Sequence, residues 1–211
     1  MLEYTPLAEQ ILVVVAVIQG ILLIPAFIEL LPYIADSLFR ARGSVALESS
    51  VRVSRSRNRV ALVLLLPCML MIFRLHLWTP ALIDRLTPEW QLAAVTAAFF
   101  VYSLVRVLMF WILKPRRRYD NYWLSHRASY TFLILMIMLL LPTWGIFWIF
   151  GVSFQTTRLV IYVEIGMVYA AFLLRRAQIL NLSYRPLRTF LYLCGLEIVP
   201  AFVWVISALV M

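Results

Sequence analysis

Four ionisable side chains stand inside otherwise apolar runs: Glu29, Arg106, Glu164 and Glu197. A charge at the centre of a bilayer costs on the order of 2.5–3.5 kcal/mol on insertion scales, so each needs a counter-ion, a proton or a water-filled cavity. Three carboxyl groups share one guanidinium here, and they cannot all be ionised together without leaving net buried charge. The expected pairing is Arg106 with Glu197, with Glu29 as a further partner. Glu29 and Glu197 also share a local pattern, since Glu29-Leu30-Leu31-Pro32 and Glu197-Ile198-Val199-Pro200 are both E-x-x-P. Each proline lacks an N–H and frees the carbonyl four residues back, on Ile28 and Leu196. Tyr102, one turn before Arg106, either extends the network through its hydroxyl or packs as an aromatic. Such a set can do two things: lock a bundle by ion pairing, or carry a proton or solute.

No other chemistry competes with it. His76 and His126 fall at opposite sides of the expected membrane and cannot share a metal within one chain. H-E-x-x-H, C-x-x-C, G-x-S-x-G and phosphate-loop patterns are missing. Cys68 and Cys194 both lie in apolar runs and read as packing residues, outside any disulfide framework. The sequence therefore predicts neither metal nor cofactor, and no catalytic residue.

The elements that must position these groups follow from composition. The 211-residue chain is 64% hydrophobic and 14% charged, against about 25% charged in ordinary soluble domains. It reads as one all-α membrane domain spanning residues 1–211, a bundle of six transmembrane helices at about 8–35, 60–79, 89–113, 130–150, 156–174 and 189–210. Thr5-Pro6 and Thr87-Pro88 are cap-plus-proline starts, and Thr79-Pro80 opens a short interfacial helix. The last span is 23 residues without a basic group, from Thr189 to Met211.

Charge sets the expected orientation. The net charge is +9, from 18 Arg and one Lys against ten acids. The stretches after helices 1, 3 and 5 carry six, five and four Lys/Arg: Arg40 to Arg59, Lys114 to Arg127, and Arg175 to Arg188. The connections on the other side hold only Arg74, Arg85 and Arg158. The positive-inside rule then predicts three Arg-rich cytoplasmic loops, with the N-terminus and C-terminus both outside (periplasmic). The acidic N-terminal stretch, with Glu3 and Glu9, does not read as a signal peptide. Trp78, Trp90 and Trp148 are expected at the outer boundary, Trp111 and Trp123 at the inner one. Small-residue faces at Ala93/Ala97, Ala94/Ala98 and Gly166/Ala170 would allow close helix approach.

One basic stretch could bind a ligand. If Val51 to Arg59 is helical, Arg52, Arg55 and Arg59 fall on one face, with Arg57 beside them. That stripe could hold the phosphates of anionic lipids, at about 1 kcal/mol per basic residue near the leaflet. Acidic protein or RNA is the alternative; the bilayer with anionic lipids is the expected partner, and nucleic acid is not expected.

The segment Phe190-Leu191-Tyr192-Leu193-Cys194-Gly195-Leu196-Glu197-Ile198-Val199-Pro200 resembles the C-terminal signature of an uncharacterised Bacteroidota family of small multi-pass inner-membrane proteins, a domain of unknown function. The resemblance implies a bacterial cytoplasmic (inner) membrane location and supplies no activity. Taken together, these readings make the chain a non-enzymatic subunit or assembly factor of an envelope complex, beside other subunits or copies of itself. A small proton-linked transporter or channel using Glu29, Arg106, Glu164 and Glu197 is the alternative. A lipid-modifying enzyme with a head-group site at the Arg-rich rim is the third.

Overall fold

Prolines set both the starts and the bends of this chain's helices. The computed structural model describes residues 7–39, 50–78, 80–113, 119–182 and 184–210. The order is α1 (Leu7–Phe39), α2 (Val51–Arg74), the short α3 (Ala81–Asp84), α4 (Pro88–Ile112), α5 (Tyr119–Ile149), α6 (Phe154–Asn181), α7 (Pro186–Leu193), a π turn (Cys194–Ile198) and α8 (Val199–Val210). Pro88 and Pro186 each sit in a first turn, where the missing N–H has no intrahelical partner to lose. Pro25 and Pro32 lie inside α1, Pro67 inside α2 and Pro142 inside α5. Interior prolines survive in membrane helices because neighbours re-satisfy the freed backbone groups.

Among the described residues six stretches are long and apolar enough to cross a membrane: Gln10–Ser37, Val51–Arg74, Trp90–Ile112, Tyr122–Ile149, Phe154–Asn181 and Pro186–Ser207. The described residues contain no strand, and the chain is built as a multi-pass membrane protein. Its outward surface is apolar along whole helices, for example Val14, Ile18, Ile21 and Leu22 on α1 and Phe100, Leu104, Val107 and Leu108 on α4. Acyl chains tolerate such a surface, and water does not.

α5 and α6 form a central hairpin, packed through Phe132, Val168 and Phe172. Its turn follows from Gly151, whose φ is +64°. The N–H of Val152 reaches back to the carbonyl of Phe147 (3.0 Å), and that of Gly151 to Trp148 (3.3 Å). This double closure satisfies the last carbonyls of α5 and needs a left-handed residue, which glycine supplies without steric cost. α1 lies on α2 and α5 through Leu30, Ile34, Val53, Val60 and Ile134. Phe110, Tyr122, Leu180, Leu193 and Leu196 form another cluster, joining α4, α5, α6, α7 and the π turn. Trp78, just after α2, donates its indole N–H to the Trp204 carbonyl (3.1 Å) and to Ser207 Oγ (3.2 Å), and stacks on Trp204 at 4.3 Å.

Several helix ends differ from those expected. α2 starts at Val51 rather than about 60, because Ser50 caps it by accepting from the Val53 N–H at 3.5 Å. It stops at Arg74 rather than 79, and His76 then turns the chain with φ +46°. α5 starts at Tyr119 rather than about 130, so His126 and Arg127 are helical and not in a loop. α6 continues to Asn181 rather than 174. At the starts of α2 and α5 and the end of α6, basic or polar residues expected to lie outside a helix stand within it. The expected start at Thr5-Pro6, the cap at Thr79, and Arg40, Arg42, Lys114, Arg116, Arg117 and Arg118 lie outside the described residues.

Two glycines separate the effect of backbone conformation from that of space. No atom lies within 4 Å of a Cβ added at either Gly151 or Gly145, but only Gly151 is left-handed. Gly151→Ala should destabilise the protein by about 1 kcal/mol, whereas Gly145→Ala, inside α5, should be neutral or stabilising. Thermal unfolding of the detergent-solubilised variants reads the difference.

Candidate functional site

The inward-facing charges meet at the π turn. In Cys194–Ile198 the backbone ladder runs from the Val199 N–H to the Cys194 carbonyl, five residues back instead of four. Such a turn holds one residue more than the α-helix and points its side chains differently from regular flanks. Here it carries Glu197 into the bundle, where 2% of the residue stays exposed. Gly195 sits in the same turn, and a Cβ there would lie 3.1 Å from Leu113 Cδ1, so the small residue lets the end of α4 approach.

Two guanidinium groups converge on Glu197. Arg106 of α4 donates Nε (3.2 Å) and Nη2 (2.7 Å) to Oε1. Arg176 of α6 donates Nη1 to that same oxygen in a very short contact, and its Nε to Ser125 Oγ of α5 at 2.9 Å. The ring of Phe172 covers the Arg176 guanidinium at 5.5 Å. Tyr169 donates its hydroxyl to the backbone carbonyl of Glu197 (3.1 Å). The cluster thus ties α4, α5, α6 and the π turn at one point. Side-chain exposure is 1% for Arg176 and 3% for Glu197, but 22% for Arg106, the member that reaches the surface.

The other expected members lie elsewhere. Glu29 does not join Arg106; it faces outward and pairs with Arg52 at 3.5 Å, both largely exposed. Glu164 accepts from the Thr143 hydroxyl through Oε1 at 2.7 Å, while its buried Oε2 has no hydrogen-bond partner among the described residues. The structure therefore brings together two of the four residues and adds Arg176. The helical accounting for Pro200, which freed the Leu196 carbonyl, does not apply because the ladder there is π. Tyr102 packs its ring on Trp204 at 5.3 Å.

The basic stripe is divided. Arg52, Arg55 and Arg59 are exposed along α2, but Arg57 turns inward with 1% exposure. It bonds Asn58 Oδ1 and stands 5.8 Å from the centre of the Tyr130 ring. Arg127 likewise bonds Ser54 Oγ (3.3 Å) and lies over Trp123 at 4.9 Å. Arg175 donates Nε to the Ser37 carbonyl of α1 (2.8 Å) and Nη1 to Gln178 Oε1 (2.7 Å). Among the described residues no group of three His, Cys, Asp or Glu stands close enough to hold a metal.

Arg176 was missed because an Arg-Arg pair after an apolar run reads as the membrane boundary. Ala177, Ile179 and Leu180 follow it, however, and a continued helix places Arg176 on one face with Phe172, Ile179 and Leu180, all buried. Arg57 carried the same signal, sharing a face with Val53, Val60 and Ala61 at the 3–4 spacing.

Removing one partner of a buried charge pair leaves the other uncompensated, at about 3–5 kcal/mol. Glu197→Gln, which leaves two guanidinium groups without their carboxylate, should lower the unfolding midpoint in a neutral detergent strongly; Arg176→Gln, which leaves Glu197 its bonds to Arg106 but loses the one to Ser125, should lower it less. Arg106→Gln should be milder, because its side chain is partly solvated. Equal losses from all three would contradict the unequal burial. Comparison with protein-family models, with curated proteins and with solved structures gives no match to this chain, so its functional reading rests on this geometry.

Proposed function

We propose that the chain is a multi-pass protein of a bacterial cytoplasmic membrane and serves as a non-enzymatic subunit or assembly factor of an envelope complex. The observation that carries this reading is the contrast between buried charge used to join helices and apolar helix faces left unused. Glu197 is engaged by Arg106 and Arg176, so the buried charge is spent on joining helices. α1 and α4, in contrast, each leave a long apolar face exposed, from Ile11 to Leu31 on α1 and from Phe100 to Ile112 on α4. Faces of that kind suit lipid and equally suit a neighbouring membrane helix, for which van der Waals packing is the main attraction. The resemblance of Phe190–Pro200 to the Bacteroidota inner-membrane family supports the same location.

The proposed orientation puts both termini in the periplasm and the three Arg-rich stretches in the cytoplasm, following the positive-inside bias. Exposed Arg52, Arg55 and Arg59 then border the anionic cytoplasmic leaflet. A chain with Cys68 and Cys194 replaced and a single cysteine introduced tests this. A membrane-impermeant maleimide should label Val152→Cys in intact cells and Arg55→Cys only after the membrane is broken; the reverse pattern would overturn the orientation.

Extraction in a mild detergent should yield the chain in a particle heavier than one copy, containing further subunits or copies of itself. A monodisperse single-chain particle would count against the subunit reading. The transport reading keeps one specific support, the buried and unbonded Oε2 of Glu164 near the middle of α6. It requires proteoliposome proton flux that Glu164→Gln abolishes while leaving the fold intact. Absence of flux from the unaltered chain would retire it.

A further inference from the structure

The Glu197 cluster holds two guanidinium groups and one carboxylate, and all three of their mutual hydrogen bonds end on the single oxygen Oε1. One positive charge in the cluster is therefore uncompensated. The other hydrogen bond of Arg176 goes to a neutral hydroxyl, that of Ser125. Arg175, next in the chain, adds no negative group through its bonds, which go to the Ser37 carbonyl and the Gln178 amide. A guanidinium has no route to neutrality by losing its proton and must find an anion or water instead.

The cluster opens at one place. Arg106 keeps 22% of its side chain exposed, while Arg176 and Glu197 are sealed. Around that opening α4 presents Leu104, Val105, Val107 and Leu108, which are 59%, 42%, 44% and 51% exposed. This flank faces acyl chains when the helix spans a membrane, and the anion available on such a flank is a lipid head group. Arg106 stands six residues before Ile112, the last residue of α4, which is about 9 Å along the axis. An arginine at that depth draws head groups and water inward by snorkelling and local thinning of the bilayer.

We propose that Arg106, backed by Arg176 and Glu197, is the seat of one phospholipid phosphate carrying net negative charge, approached along the outer flank of α4. The phosphate supplies the missing charge, and the planar fork of Arg106 suits two phosphate oxygens. Glu197 holds both arginines in place and also competes with the phosphate for them, so it limits how tightly the lipid binds.

The test uses the full chain, purified in a nonionic detergent and titrated with phosphatidylglycerol, phosphatidylcholine or inorganic phosphate. Thermal unfolding and native mass spectrometry read stabilisation and retained lipid. Phosphatidylglycerol should raise the unfolding midpoint and leave one lipid bound per chain, at least tenfold more tightly than phosphatidylcholine; inorganic phosphate should do neither. In Arg106→Gln the phosphatidylglycerol affinity should fall about tenfold. In Arg85→Gln, an exposed charge just before the opposite end of α4, it should be unchanged. Glu197→Gln should be less stable alone yet gain a larger shift from phosphatidylglycerol than the unaltered chain does. Equal effects of the two lipids on the unaltered chain would overturn the proposal, whatever the variants do. So would an undiminished affinity in Arg106→Gln, a smaller shift in Glu197→Gln, or stabilisation by inorganic phosphate equal to that by the lipid.

Discussion

A carboxylate taken out of water has to be given back what water supplied, and most of this structure can be read as the means of doing that for Glu197. Moving a carboxylate-sized ion into a poorly polarisable interior is opposed by desolvation, and only close, well-directed donors offset it. Arg106 and Arg176 come from helices separated by the whole of α5, so the requirement reaches across the bundle. Ser125 holds Arg176 from a third helix, and Tyr169 holds the Glu197 carbonyl. Apolar packing alone discriminates weakly between helix arrangements in oil, because lipid chains resemble leucine. A carboxylate that can be satisfied at one point only discriminates strongly. The register of α4, α6 and the last helix follows from that difference.

The same economy governs the other inward arginines. Arg57, Arg127 and Arg175 bond amides, hydroxyls and a backbone carbonyl, and use aromatic faces such as Tyr130 and Trp123. Arginine suits this because its charge is delocalised and weakly hydrated, and its donors fan out in a plane. Ser37, Ser54 and Ser125 lie near helix ends, on α1, α2 and α5. The arginines they meet stand one to two turns inside the ends of α5 and α6. Inter-helix contact is polar near these ends and mainly apolar around Met71, Leu140 and Ile161, where the Thr143–Glu164 bond is the exception among those described.

The number of apolar spans was legible in the sequence because about twenty consecutive apolar residues have few other readings. The contact of Arg106 with Glu197 was legible from the scarcity of buried charge. What escaped was anything set by three-dimensional partners near the span ends. Arg57, Arg127 and Arg176 look like loop markers when residues are counted by charge, since nothing in the local sequence reveals a serine or carboxylate on another helix. Glu29 escaped for the opposite reason: its run is apolar, yet Arg52 reaches it from outside, so burial in sequence was not burial in space. The π turn has no local signature beyond Gly195 and Pro200, and its extra residue is visible only in the backbone ladder.

That extra residue has a genetic side. One amino acid more or less in a helix rotates everything beyond it by about 100°, and the π turn absorbs one such step within five residues. Loss of a single codon between Cys194 and Ile198 would restore regular winding with α8 still facing as it does relative to α7, whereas loss of one codon between the turn and Trp204 would rotate Trp204 away from Trp78. A one-residue deletion in the first turn of α8 should therefore be far less tolerated than substitution of the lipid-facing Phe202 or Val203. Beyond the turn, spacing more than side-chain identity is what inheritance has to preserve in this last helix.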